Sequence, residues 1–138
     1  MTPPLTGQDI AEANGAVNAL LDHQLQGTGV TARQFVILRV IAVRGPWSRH
    51  ALEEFLVSQR QLTLDANGAA AELDTLAAKG LVTEAELTTA GEAEYERLQA
   101  VANATAAELY AEFAPEELAT TRSVLRRVIE RAQQLSAV

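Results

Sequence analysis

The chain is punctuated by helix starts. Thr6, Thr31, Ser48, Asp65 and Thr89 each stand before a run of apolar residues at helical spacing. Asp, Gln or Glu follows three residues after Thr6, Thr31 and Thr89, the pattern of a capping box. The first predicted helix covers residues 6–26, with Ile10, Ala13, Val17, Leu20 and Leu21 on one face, and ends at Gly27-Thr28-Gly29. A second runs from Thr31 to the stop at Gly45-Pro46, with Phe35, Leu38, Ile41 and Ala42 inward. Ser48 caps a short third helix bearing Leu52, Phe55 and Leu56. Asp65 caps a fourth from Ala66 to Lys79, with Leu73, Leu76 and Ala77 inward and Gly80 just past its end.

Beyond Gly80 the pattern changes. Leu81-Val82-Thr83 and Glu86-Leu87-Thr88 are strand candidates so close together that any hairpin is a minimal one. Thr89 with Glu92 opens a long helix through Leu98, Val101, Leu109 and Phe113. Pro115 opens the last, along which Leu118, Leu125, Val128, Ile129, Ala132 and Leu135 form a seam. Three capped helices running into Lys79-Gly80-Leu81-Val82 predict a mainly α protein, a winged helix-turn-helix with a minimal β-hairpin. The expected organisation is one domain over residues 1–138: a winged-helix lobe at about 31–88, and dimerisation helices at about 6–26 and 89–138. The terminal stripes are longer than so small a lobe can cover, which suggests a homodimer; the alternative is that they pack on each other within one chain. A few residues at the N-terminus are expected to be disordered.

With 138 residues and no cysteine, the chain has room for one real core and has neither disulfides nor thiolate metal sites. No long apolar run or basic leader is present, so no membrane segment is expected and a cytoplasmic location follows by default. No nucleophile stands with a base and an orienting partner, no glycine-rich phosphate loop follows a strand, and His23 and His50 have no companions at metal-ligand spacing. Neither an enzyme nor a cofactor or metal is expected. The net charge of −7 is unevenly spread. Residues 33–60 are positive through Arg33, Arg39, Arg44, Arg49 and Arg60, whereas residues 61–96 set Lys79 alone against eight acids. The predicted fold favours a polyanion and the charge of its second half opposes one.

Thr31-Ala-Arg-Gln34-Phe35-Val-Ile-Leu38, Gly45-Pro46, Leu52-Glu-Glu-Phe55-Leu56, Leu64-Asp65, Leu73-Asp74-Thr-Leu76-Ala-Ala-Lys79-Gly80-Leu81-Val82, Leu87-Thr88-Thr-Ala-Gly91 and Pro115-Glu116-Glu117-Leu118 resemble, in order and spacing, the MarR family of bacterial regulators. That resemblance implies an obligate homodimer binding double-stranded operator DNA through two winged helix-turn-helix lobes, typically a repressor released by a small aromatic or anionic effector. The departures matter equally. Only Thr83-Glu84-Ala85-Glu86 lies where the family carries a longer wing tipped with arginine, and Asn67, Gly68, Ala69, Ala70 and Ala71 occupy the recognition-helix positions that commonly hold Ser, Thr or Arg. They leave open a dimer that no longer binds DNA and serves as a protein-binding module or small-molecule sensor, or one whose pocket has been repurposed for chemistry.

The expected DNA-contacting residues are Arg33, Ser48, Arg49, His50, Arg60, Gln61, Thr63 and Asn67. The cations would meet phosphate at the edge of the lobe, Gln61 or Thr63 can reach phosphate, and the Asn67 amide suits adenine. His50 is equally explained as a solvated helix start, and Asn67-Gly68 as a helix-start turn. Trp47 either covers the joint between the second and third helices or walls an effector pocket with His23, Arg39 and Tyr110.

Overall fold

The structure, a computed structural model, describes residues 4–137; Met1 to Pro3, expected to be disordered, lie outside the described residues. The helices are α1 (Gly7–Gln24), α2 (Ala32–Arg44), α3 (Arg49–Ser58), α4 (Ala66–Ala78), α5 (Thr89–Tyr110) and α6 (Pro115–Ser136), with a single 3-10 turn at Arg60–Leu62. Their starts are chemically defined. The Thr6 and Thr31 hydroxyls accept the amides of Asp9 (3.3 Å) and Gln34 (3.1 Å), and both reciprocal side-chain bonds are made. Ser48 accepts from the Ala51 amide at 3.1 Å and Asp65 from the Gly68 amide at 2.7 Å.

The start of α5 corrects the sequence reading by one residue. Thr88, not Thr89, is the cap: its hydroxyl accepts the Gly91 amide at 2.9 Å while donating to the Gly80 carbonyl at 2.6 Å. Thr88 serves both ends of the connection, so it holds α5 to the end of α4. Gly80, at φ +77°, closes α4 with the Leu81 amide bonded back to Leu76 and its own amide to Ala77, an arrangement that needs a left-handed residue.

Strands β1 (Val82–Thr83) and β2 (Glu86–Leu87) pair antiparallel, Val82 opposite Leu87 and Thr83 opposite Glu86. Each is two residues long rather than three, because Leu81 and Thr88 are engaged in the helix junctions. Glu84 enters the turn at φ 59°, a conformation in which glycine, lacking a Cβ, is at ease.

The chain forms two compact units, Met1–Asn103 and Ala104–Val138. In the first, Ile37, Leu38, Leu52, Leu56, Leu73, Leu76 and Leu98 are fully buried, drawn from α2, α3, α4 and the first half of α5. These four helices thus share one core, and burying each such side chain contributes about 1.5–3 kcal/mol. Two expected inward residues, Ala42 and Ala77, are exposed; they lie at the edge of their stripes, where larger neighbours already fill the core. The end of α1 is tied down, since Leu25 and Val30 are buried and Asp22 accepts the Ala32 amide at 2.7 Å. Along the rest of α1, Ile10 and Val17 are exposed. In the second unit Leu118, Val124 and Leu125 are half-buried and Val128, Ile129 and Leu135 exposed.

Gly91 shows how tightly α5 meets the hairpin. A Cβ there would lie 1.9 Å from the Leu81 carbonyl oxygen, a backbone atom that also accepts the Thr88 amide. Gly91→Ala is therefore expected to destabilise the lobe by about 1–3 kcal/mol or more, as overpacking against backbone does. Urea unfolding followed by circular dichroism checks this; an unchanged midpoint would show that α5 does not sit so close.

Candidate nucleic-acid interface

Helix α3, the 3-10 turn and α4 form the helix-turn-helix, and its turn is fixed from below by buried Leu62 and Leu64. Between them Thr63 adopts φ 52°, ψ 41°, left-handed backbone that a β-branched residue rarely occupies. Its hydroxyl donates to the Leu62 carbonyl at 2.7 Å and accepts from Arg33 Nη2 at 3.1 Å. This bond ties the turn to α2.

Arg49 is likewise engaged. Its guanidinium reaches Glu53 Oε1 at 3.2 Å on its own helix, and Asp74 Oδ1 at 3.0 Å and the Ala70 carbonyl at 3.3 Å on α4. Partial burial pulls the Arg49 pKa down, but the hydrogen bonds to Asp74 and Glu53 outweigh it and leave it raised. A basic group with a raised folded-state pKa gives stability that is lost only as pH climbs through that value, so the guanidinium stays charged well beyond neutral pH. Rather than standing free for phosphate, Arg49 clamps α3 to α4.

Lys79, the only base between residues 61 and 96, is also held: its ammonium donates to Gln34 Oε1 at 3.1 Å and to the Gly29 carbonyl. Gln34 is a buried polar side chain, and its amide oxygen accepts from both Lys79 and the Thr31 amide. Of the other expected contacts, Ser48 is occupied as the α3 cap, His50 Nε2 lies 2.7 Å from Glu54, and Gln61 donates to Gln59 at 3.0 Å, the last two exposed. Arg60 and Asn67 are exposed with no side-chain hydrogen bond among the described residues.

Helix α4 buries Ala69, Leu73 and Leu76 and turns Asn67, Ala71, Asp74 and Ala78 outward. Gly68 fits beneath Leu64 and the Asp65 cap, each 3.2 Å from where its Cβ would be. Glycine there serves packing as well as the turn.

His23 and Arg39 are exposed on α1 and α2, and Tyr110 is exposed in the second unit. Trp47 covers the joint: its indole N–H donates to the Val40 carbonyl at 3.3 Å and its ring centroid lies 5.2 Å from that of Phe55, over which Arg44 also sits. A cavity of about 440 Å³ opens instead between the end of α2, the hairpin and α5, lined by Ile41, Pro46, Leu87, Tyr95 and the carboxylates of Glu86, Glu92 and Glu96, with none of the four expected residues. Its walls come from segments about forty residues apart, and no local spacing in the sequence announces them.

No protein-family profile matches the sequence, and no curated protein is significantly similar to it. Solved structures are similar over nearly the whole chain. The reduced form of MarR from E. coli is 28% identical with a TM-score of 0.74, covering 93% of this chain and 95% of that one. A MarR-family transcriptional regulator from Rhodococcus sp. RHA1 is 16% identical with a TM-score of 0.73, covering 93% and 98%. A MarR-family protein of Mycobacterium tuberculosis, solved in complex with salicylic acid, is 21% identical with a TM-score of 0.68, covering 90% and 98%. With six helices and a hairpin of two-residue strands, the chain has the winged-helix fold of the MarR family of transcriptional regulators.

Proposed function

We propose that the chain is a dimeric transcriptional regulator that binds operator DNA with α4 in the major groove. The observation that carries this reading is the Arg49 clamp. It fixes the angle between α3 and α4 so that the outer face of α4 stands clear of the lobe, in a fold shared with regulators over more than nine-tenths of the chain. Two lobes require two copies, and the exposed stripes of α1 and α6 are the surfaces a second copy would bury. As a repressor of this kind it would sit on a pseudo-palindromic site, and an effector would act by changing the separation of the two α4 helices.

The effector we infer differs from the anionic one that the resemblance implies. Glu86, Glu92 and Glu96 around an apolar floor with Tyr95 would repel a carboxylate, so an uncharged or cationic aromatic molecule is the better fit. A neutral phenol at millimolar concentration should raise the melting temperature more than salicylate does. The reverse order would place effector binding outside this cavity.

Sedimentation at micromolar concentration should show a dimer, and Ile129→Asp should dissociate it, because an unpaired carboxylate in an apolar interface is strongly disfavoured. A stable wild-type monomer would remove the two-lobed reading. For DNA, a shift titration on the gene's own upstream region should show binding at low salt that fades at physiological salt, since the two cations nearest α4 are held within the fold. The absence of any shift at low salt would favour a sensor or a protein-binding module instead.

Arg49→Ala and Arg60→Ala should separate the two roles. The first should lower stability by about 0.5–1 kcal/mol, since Arg49 is part-buried while its partner Asp74 is largely exposed to water. The second should leave stability unchanged and reduce the salt slope of binding by about 0.9 for each phosphate that is no longer neutralised. Equal effects on the slope would mean that Arg49 leaves its clamp for phosphate.

A further inference from the structure

Over the first three turns of α4 the outward side chains are Asn67, Ala71 and Asp74, flanked by Ala70. Their donor capacity, apart from Asn67, is absent or engaged, and the carboxylates of Asp74 and half-buried Glu72 can only accept. Asp65 accepts the Gly68 amide, Asp74 accepts from Arg49, and the Thr75 hydroxyl donates to the Ala71 carbonyl at 2.9 Å. Asn67 presents an exposed amide with no hydrogen bond to any described residue. Ala66, Ala70 and Ala71 stand beside it on the helix.

Base chemistry decides what such a face can read. Guanine is most often read by Arg or Lys on O6 and N7; α4 has no basic residue, and Lys79 beyond its end is bonded to Gln34 and Gly29. The hairpin tip is Glu84-Ala85, so no cation enters the minor groove from there. Among the uncharged groups there remain an amide, which pairs with N6 and N7 of adenine, and alanine methyls, which pack on the C5-methyl of thymine.

Resting on the DNA-binding reading above, we infer that each half-site is centred on consecutive A·T pairs. Asn67 makes the bidentate contact to adenine, while Ala70 and Ala71, three and four residues further along the same face, cover the methyl groups of neighbouring thymines. Asp74, on the same face beyond Ala71 and largely exposed, has one carboxylate oxygen held by Arg49 and has no proton to donate to a base. Specificity then comes from one hydrogen-bonding side chain and shape, without a charged group reaching a base.

The test is selection of bound duplexes from a random library at low salt with the intact protein, followed by binding to the selected sequence. Enrichment should centre on paired A·T steps. Asn67→Ala should flatten the adenine preference by about fivefold or more. Replacing the half-site thymines by uracil, which removes only the methyl groups, should weaken wild-type binding. Because Asn67 is exposed and unbonded, an unchanged melting temperature for the variant confirms that the fold is intact. Half-sites centred on G·C, or binding indifferent to both changes, would overturn the inference while leaving the DNA-binding reading in place. Selection that enriches nothing over random sequence would overturn both.

Discussion

The contact of Arg49 with α4 is the constraint on which the rest of the lobe depends. Buried Leu52, Leu56, Leu73 and Leu76 bring α3 and α4 together, but apolar packing is non-directional and leaves a helix some freedom to slide and rotate. A planar guanidinium that meets a carboxylate and a backbone carbonyl one turn apart on α4 removes that freedom. Glu53 holds the same group from its own helix, so the clamp is braced at both ends. Asn67 and Ala71 face outward because Ala69, Leu73 and Leu76 commit the other side of α4 to the core.

The same contact bears on the charge of the recognition surface. Eight acids and one base occupy residues 61–96, and that base is bound to the loop before α2 and to Gln34. Arg49, close to α4, is neutralised by two carboxylates. The two cations nearest the recognition helix therefore maintain the fold and contribute little to attraction of a polyanion. On the proposed DNA-binding reading, attraction would fall to Arg33 and Arg60, around the strained Thr63 turn. In such a protein the non-specific, salt-dependent share of DNA affinity is small and base contacts must carry more.

The fold was legible in the sequence because each helix start is a local device. Thr6 with Asp9 and Thr31 with Gln34 are pairs three residues apart, and the bond that completes each lies within that span. The one misplaced cap, Thr89 for Thr88, arose where a hydroxyl also answers a distant carbonyl, that of Gly80. The site was less legible for the same reason. Arg49 as a free cation and Arg49 as a clamp are the same letters; only the fold brings Asp74, twenty-five residues on, to 3.0 Å. Trp47 could be placed at the joint but not assigned between joint and pocket until Val40 and Phe55 were seen around it.

The central claim, that the cations beside α4 are held by the fold, is tested most directly by the dependence of DNA affinity on salt for the unaltered protein. With Arg33 and Arg60 of two lobes meeting phosphate, the logarithm of the binding constant should fall with the logarithm of salt concentration at a slope of roughly −4. A slope of about −7 or steeper would show that Arg49 and Lys79 leave their partners for DNA, and would contradict a lobe held together by those two cations.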